Sequence, residues 1–264
     1  MTKFTVITIT FNAEKCLQRT LDSVLSQTYE DVEHLIIDGA STDGTLRMAN
    51  DYKAKNDSPD DNDLSAPPRH KVIIHSEPDQ GIYDAMNKGL TQASGDYVVF
   101  MNAGDFFPSA DTLEQIAHCC HLNELPSDEL PAVLYGNTDI VDSEGRYLHP
   151  RRLQPPEELN WRSFRKGMLV CHQAFYARTD LAKNIQYDTR YRYSADVDWC
   201  IRMMREADRL GLSLCNTKKV VACYTQEGAT TRHHCKSLLE RYRIMARHYG
   251  HITTFLMHCW FVLR

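Results

Sequence analysis

Asp105 closes the run Asp96-Tyr97-Val98-Val99-Phe100-Met101-Asn102-Ala103-Gly104-Asp105. Its apolar residues, rich in β-branched and aromatic types, predict a strand buried on both faces. Asn-Ala-Gly-Asp is turn chemistry. A core strand ending in a carboxylate sets that group at the carboxyl edge of a sheet, where open α/β sheets bind ligands. A hard oxygen ligand there suits a divalent ion carrying phosphates. Capping of the next helix explains the same residue equally well. Asp38 follows a second strand-like segment, Val32 to Ile37, and Asn12 lies just past a third, Phe4 to Thr10. Parallel order would gather all three at one edge. Asp196 and Asp198 open a predicted helix from Ser194 to about Leu210. Asp198 has Arg202 four residues on, so an i,i+4 ion pair accounts for it. Asp196 has Trp199 and Cys200 at those offsets and no local partner; either acid would also favour the helix N-terminus by its charge.

These residues need a scaffold, and the first half of the chain supplies an alternating one. Strands are predicted at Phe4–Thr10, Val32–Ile37, Val72–His75 and Tyr97–Met101. The first helix carries Leu17, Leu21, Val24 and Leu25 on one face with Asn12 as N-cap. Further helices follow Thr45 and Gly81, and one spans about Ala110 to His121. Strand–helix alternation implies a parallel sheet with right-handed crossovers. Residues 56 to 70 break the pattern with four Asp, three Pro and few apolar residues, so they read as a solvated or disordered insert. The second half predicts short strands at Ala132–Tyr135, Thr138–Val141 and Val170–Tyr176, a hairpin arm at Arg146–His149 and a last strand at Ser213–Tyr224. From about Lys236 the chain reads as helix to its end.

The 264 residues are 42% hydrophobic, enough for a full core, and carry a net charge of −5, which argues against a nucleic-acid partner. No apolar run is long enough to span a membrane and the N-terminus lacks a signal pattern. Nine cysteines without a C-x-x-C pair predict reduced cytoplasmic thiols rather than a disulfide framework or zinc ribbon. His118-Cys119-Cys120-His121 cannot converge on one ion, because adjacent helical residues face different sides. No glycine precedes Gly39, which excludes a P-loop or G-x-G-x-x-G turn after the first strand. A nucleotide would be held by side chains and a metal.

Four segments in order resemble the family 2 glycosyltransferases. They are Val6-Ile7-Thr8-Ile9-Thr10-Phe11-Asn12 with Leu21 to Thr28; Ile36-Ile37-Asp38-Gly39-Ala40-Ser41-Thr42-Asp43-Gly44-Thr45; Gly81, Ala85, Asn87 and Gly89; and Asn102-Ala103-Gly104-Asp105 leading to Ala195-Asp196-Val197-Asp198. The resemblance covers about three-quarters of the chain. It implies an α/β GT-A fold, a mainly parallel central sheet flanked by helices, in one domain over 1–264. Residues 1–105 would bind the nucleotide sugar, 106–235 would carry the acceptor and catalytic half, and 236–264 would form a C-terminal helical segment. The implied activity is inverting transfer of a sugar from a nucleotide-diphosphate donor, UDP-linked as a first expectation, to an acceptor hydroxyl. By resemblance Asp38 contacts the base, Asp105 binds Mn²⁺ or Mg²⁺ on the diphosphate, Asp196 is the general base, and His172 and Gln173 lie near the acceptor. Thr10, Asn12, Asp84, Lys88 and Asn102 complete the expected donor contacts.

That division of labour is sound chemistry. A diphosphate leaving group develops negative charge that a divalent ion stabilises, and an acceptor hydroxyl needs a carboxylate to take its proton. The chain departs from the pattern at Asn102 and Gly104, which replace acids, at Met86, which replaces an Arg, and at Ala195, which replaces the Glu of the Glu-Asp pair. Lys88 or Lys15 is left to supply the charge missing at Met86. These departures keep a non-catalytic sugar-nucleotide or glycan-binding module as the alternative. Tyr83 reads equally as a stacking ring or as core, and Asp84 also reads as a solvated helix residue. His233 and His234 read as a solvated loop or as completing the metal site. The C-terminal Phe255 to Arg264, with Arg241, Arg243, Arg247 and His248 upstream, reads equally as a membrane-surface helix or as one packed on the domain or in a homodimer. The expected setting is the cytoplasm, at the inner face of its membrane, with a glycan or polyprenyl-linked acceptor in surface-polysaccharide or O-antigen synthesis.

Overall fold

A computed structural model of the chain describes residues 1–57, 70–225 and 234–263. β1 (Phe4–Thr10), β2 (Val32–Asp38), β3 (Lys71–Ser76) and β4 (Tyr97–Phe100) form the first half of the sheet, with α1 (Leu17–Leu25), α2 (Thr45–Asp57) and α3 (Ile82–Gln92) as crossovers. β1 lies between β2 and β4, and β3 borders β2, all parallel. After α4 (Thr112–Cys119) come β5 (Val133–Val141), β6 (Tyr147–Pro150), β7 (Phe175–Arg178), α5 (Thr179–Asn184), α6 (Ala195–Leu210) and β8 (Leu214–Thr225). The sheet order is β3-β2-β1-β4-β7-β5-β6, with β8 also on β5. β7 pairs antiparallel with both β4 and β5, and β6 is antiparallel to β5. The sheet is therefore mixed: parallel strands in the first half, and an antiparallel set that completes it in the second.

Burial explains the pattern. β1, β2 and β4 are buried at every position because both faces of the sheet are covered, so the threonines of β1 and Glu33, His34 and Asp38 of β2 are buried with their apolar neighbours. α1 and α2 pack Leu17, Leu21, Ala49 and Tyr52 onto Ile36 and Val72 on one side of the sheet. α3 packs with the large core that includes Ile7, Phe100 and Trp199. Gly89 lets α3 approach β1 closely, because a Cβ there would come within 2.6 Å of Ile7 Cγ2. Two buried polar groups stay satisfied beneath this sheet. His34 bonds Thr8 Oγ1 at 2.9 Å and Tyr52 Oη at 2.7 Å. Glu33 accepts from Thr5, Ser94 and Lys71.

Several local expectations are corrected. Asn12 does not cap α1, which starts five residues later; Asn12 sits in the left-handed region (φ 47°) and accepts from Thr42 N. The two predicted strands at 132–141 are one strand whose register to β8 shifts near Asn137. Val170–Tyr176 is not a strand throughout: His172–Ala174 is a 3₁₀ turn, and β7 begins at Phe175. The helix α5 and the 3₁₀ turn Trp161–Lys166 were not legible. The C-terminal helix breaks at Gly250 into α7 (His234–Tyr249) and α8 (His251–Leu263). The ends of the 56–70 segment are buried rather than solvated, since the Asn56 side chain bonds both the N–H and the carbonyl of His70. Residues 58–69 lie outside the described residues. The expectation of nine reduced thiols also fails, because Cys120 is disulfide-bonded to Cys215, joining the end of α4 to β8.

Candidate active site

The carboxyl edge of β1, β2 and β4 gathers the expected residues. β1 and β2 are in register from Phe4–Val32 to Thr10–Asp38, and the chain beyond β4 continues along β1 through Met101 N to Ile7 O and Ala103 N to Ile9 O. Asp38 is fully buried and accepts from Ser41 and from Ser76 Oγ at 2.6 Å. Ser41 also receives Asn12 N, so the loops after β1 and β2 are tied together. The Asp79 side chain, which accepts from Gly81 N, lies against Gly39, where a methyl group would collide with it. Phe11 abuts the same glycine and is 63% exposed. An exposed aromatic directly after a buried strand is the sequence signal that could have singled it out. Thr10 is buried, and its hydroxyl lacks a hydrogen-bond partner.

The Asn102–Asp105 turn is held by α1. Thr20 Oγ1 donates to Asp105 O at 2.7 Å and accepts from Gly104 N at 2.9 Å, and Gly104 takes a positive φ of 100° that favours glycine. The Asp105 carboxylate is buried and receives Gln173 Nε2 at 2.9 Å. Burial pushes its pKa up to about 6, against the lowering effects of Gln173 and His172. Gln173 is thus buried behind Asp105 rather than open toward an acceptor.

His172 joins the turn to α6. Its Nε2 lies 3.0 Å from Asn102 Nδ2 and its Nδ1 lies 3.5 Å from Asp196 Oδ2. A carboxylate only accepts, so the neutral ring carries its proton on Nδ1 and accepts from the Asn102 amide at Nε2. Tyr83 Oη donates to the other oxygen, Asp196 Oδ1, at 3.2 Å. Burial and the Asp196 charge raise the Tyr83 pKa well above its usual value, so it stays a donor. Its ring stacks on Tyr187 at 5.5 Å, which makes Tyr83 core with a polar tip in the site. Burial opposes ionisation of Asp196, but His172 and Arg241 outweigh it and hold the pKa below the usual carboxylate value. Asp196 keeps 18% of its side chain exposed. Asp198, two residues on, is fully buried and paired with Arg202 Nε at 2.6 Å and His248 Nε2 at 2.7 Å. The i,i+4 partner read from the sequence is present, and the histidine is an additional one.

Other expected residues lie outside this cluster. Lys88 bonds Pro78 O and pairs with Glu77 and Asp84, while Asp84 accepts from Gln80 N. Both therefore brace the start of α3. Met86 is buried in the core. His233 lies outside the described residues, and nothing is described of the His234 side chain. Among the described residues no group of three His, Cys, Asp or Glu side chains could hold a metal. Oxygen ligands are nevertheless present: Asn102 Oδ1 is buried without a hydrogen-bond partner beside Asp105. Mg²⁺ or Mn²⁺ bound through one or two such groups fills its remaining positions with water and substrate phosphate oxygens, so the donor set fits.

A mixed sheet with helices on both faces, and polar residues gathered where its parallel strands end, defines a GT-A-type protein. Residues 5–185 match the family described as Glycosyl transferase family 2, and the chain belongs to that family. It is 35% identical over 201 residues to a PGL/p-HBAD biosynthesis glycosyltransferase of Mycobacterium bovis, covering 75% of this chain and 68% of the relative. An uncharacterized glycosyltransferase of Mycobacterium tuberculosis is 32% identical over 200 residues, covering 75% of this chain and 67% of the relative. Among solved structures, S. aureus TarS 1–349 in complex with UDP superposes with a TM-score of 0.65 at 21% identity, covering 92% of this chain. The chain spans 64% of that TarS chain. The mannosyltransferase PcManGT of Pyrobaculum calidifontis, in complex with GDP-Man and Mn²⁺, gives a TM-score of 0.59 at 17% identity, covering 97% of this chain and 74% of that one.

Proposed function

We propose that this chain is a glycosyltransferase that moves a sugar from a nucleotide-diphosphate donor to an acceptor hydroxyl with inversion. The observation that carries the reading is the placement of two carboxylates on different elements with opposed environments: Asp105, whose pKa is raised, and Asp196, whose pKa is lowered. Asp196 takes the proton of the acceptor hydroxyl. His172 and Tyr83 orient it, and His172 and Arg241 keep it ionised. Attack on the anomeric carbon from the face opposite the diphosphate then inverts the centre. Asp105 and Asn102 would hold the divalent ion, which when bound neutralises charge developing on the leaving diphosphate. Asp38, Asn12 and the exposed Phe11 present the nucleotide site, with UDP the first choice. Neighbours of the same fold solved with UDP or with GDP-Man and Mn²⁺ support both parts of that assignment.

In this reading the chain works as one GT-A domain, with 1–105 on the donor, 106–235 on the acceptor and 236–264 as a helical appendage. The acceptor is a glycan or polyprenyl-linked sugar at the inner face of the cytoplasmic membrane. Surface-polysaccharide or O-antigen synthesis is the setting that the family resemblance suggests; the 35% identical relative is itself a PGL/p-HBAD biosynthesis glycosyltransferase. Incubation with UDP-sugars and Mn²⁺ tests the proposal. Slow donor hydrolysis that Asp196→Asn abolishes supports it, whereas donor binding with no hydrolysis or transfer at all supports the non-catalytic module.

A further inference from the structure

α8 packs against α7 and against the 3₁₀ turn Trp161–Lys166, burying Thr254. Its other side is apolar and open: Ile252 is 80% exposed, Phe255 60%, Leu256 61% and Trp260 40%. These positions fall at i, i+3, i+4 and i+8, one stripe of a helix. No helix among the described residues is long and apolar enough to cross a membrane.

A collar of cations lies on α6 and on the 3₁₀ turn that α8 packs against. Trp161 stacks on Tyr249 at 5.8 Å with an interplanar angle of 7°, and Tyr249 Oη bonds Trp161 O. Arg162 and Arg205 lie 4.5 and 5.0 Å from the Trp161 ring centre, and Arg165 lies 5.6 Å from that of Tyr249. None of the three has a carboxylate partner among the described residues. Neighbouring charges are already used: Arg202 pairs with Asp198, Arg209 with Glu206, and Arg247 with Asp188. Arg205 also lines a cavity of about 650 Å³ together with Trp161, Arg247, Glu206 and Asp208. The charge distribution of the sequence agrees, for residues 234–264 hold five Lys or Arg against one Glu in a chain of net charge −5.

We propose that α8 and this arginine collar form a docking face for an anionic lipid bilayer. α8 lies in the plane of the interface with its apolar stripe among the acyl chains, and Arg162, Arg165 and Arg205 meet headgroup phosphates. Phosphate recognition suits arginines held over aromatic faces. A twofold dimer through the same face would bring the two collars toward one another, which like-charge repulsion opposes. The face connects to the site through α7. Glu240 accepts from the backbone N–H groups of Arg192, Tyr193 and Ser194 just before Asp196, and about two turns further along the same helix His248 holds Asp198. A bilayer on α8 therefore lies one helix from the acceptor side. The proposal rests on the reading above only for a lipid-linked acceptor as the reason to meet a membrane.

Flotation of the full chain with vesicles tests it without turnover, so failure here leaves the reaction standing, and loss of donor hydrolysis leaves this proposal standing. The chain is expected to float with phosphatidylcholine vesicles containing phosphatidylglycerol, weakly with phosphatidylcholine alone, and less as salt rises. The Arg162→Gln/Arg165→Gln/Arg205→Gln variant should bind anionic vesicles on the order of a hundredfold less, roughly fivefold per basic residue. Ile252→Ser/Phe255→Ser should lose binding to both compositions while keeping the wild-type melting and UDP binding. A wild-type chain that stays out of anionic vesicles at low salt overturns the proposal, as does a triple variant that binds them undiminished. Sedimentation showing a dimer that Ile252→Ser/Phe255→Ser dissolves, without vesicle binding, would assign the face to a second copy instead.

Discussion

His172 touches both carboxylate-bearing parts of the site: its Nδ1 lies 3.5 Å from Asp196 Oδ2 and its Nε2 accepts from Asn102 at 3.0 Å. The imidazole lowers the Asp196 pKa. Removing it in His172→Ala leaves burial unopposed on that side, so the Asp196 pKa rises. The acid limb of the pH–rate profile is expected to move to higher pH. The loss of kcat should be smaller than the ~10²–10⁴-fold expected for Asp196→Asn. Rate profiles of the two variants against wild type check this, and an unmoved acid limb would show that His172 does not tune the base.

Asp105 carries a separable pair of expectations. Its folded pKa of about 6 exceeds the ordinary aspartate value of 3.8. A carboxyl with a raised pKa favours folding below about pH 4, and that contribution is lost as pH rises through about 6. Asp105→Asn should therefore melt higher than wild type at pH 8 in chelator and close to it at pH 4. With UDP and Mn²⁺ the wild type should gain about 2.7 kcal/mol at a hundredfold excess over Kd. Asp105→Ala should lose most of the metal dependence of that gain. Retention of the full gain would move the metal to other ligands.

Glu33 gives the opposite pH signature. Burial alone would raise its pKa, but bonds from Ser94, Lys71 and Thr5 lower it to about 2. Its stabilising contribution is present above pH 4.5 and is lost as pH falls toward 2. Glu33→Gln should cost on the order of 3 kcal/mol in urea melts at pH 7, with the difference from wild type shrinking at pH 3. A constant difference would mean that packing rather than charge is lost.

Deleting Asp60–Ser65 should leave melting and donor hydrolysis close to wild type. The Asn56 side chain still clasps His70, and loop length alters closure entropy only slowly. Asn56→Ala should instead cost about 1–3 kcal/mol, since it strips partners from a buried N–H and carbonyl. If the deletion unfolds the chain, the segment contributes more than closure.

Thiol titration under denaturing conditions should find seven reactive cysteines without reductant and nine with it, because Cys120 is bonded to Cys215. Cys120→Ser/Cys215→Ser should lower stability by about 2–5 kcal/mol. Nine thiols in the untreated protein would count against the bond.

Sequence periodicity made the parallel half of the fold legible. Strands covered on both faces are rich in apolar and β-branched residues, so β1, β2 and β4 and the polar residues at their ends could be read directly. The same was true of Asp196 and Asp198 at the start of α6, since a helix of this length shows its own face. The i,i+4 pair between Asp198 and Arg202 is local, and local geometry is what a sequence encodes most directly. Contacts between distant segments were hidden. Nothing in the spacing of Tyr83, Asn102, His172 and Asp196 says that four separate elements bring them to one point, or that Gln173 turns to Asp105 while the adjacent His172 meets Asn102 and Asp196. Cys120 and Cys215, 95 residues apart, meet only because α4 packs on β8. Short turns such as Trp161–Lys166 lack the length to show a period. The sequence by itself determined which residue types were on hand and which strands must lie inside. Tertiary structure decided which acid is paired, which is desolvated and which faces open space, because those depend on three-dimensional proximity and burial that no local pattern carries.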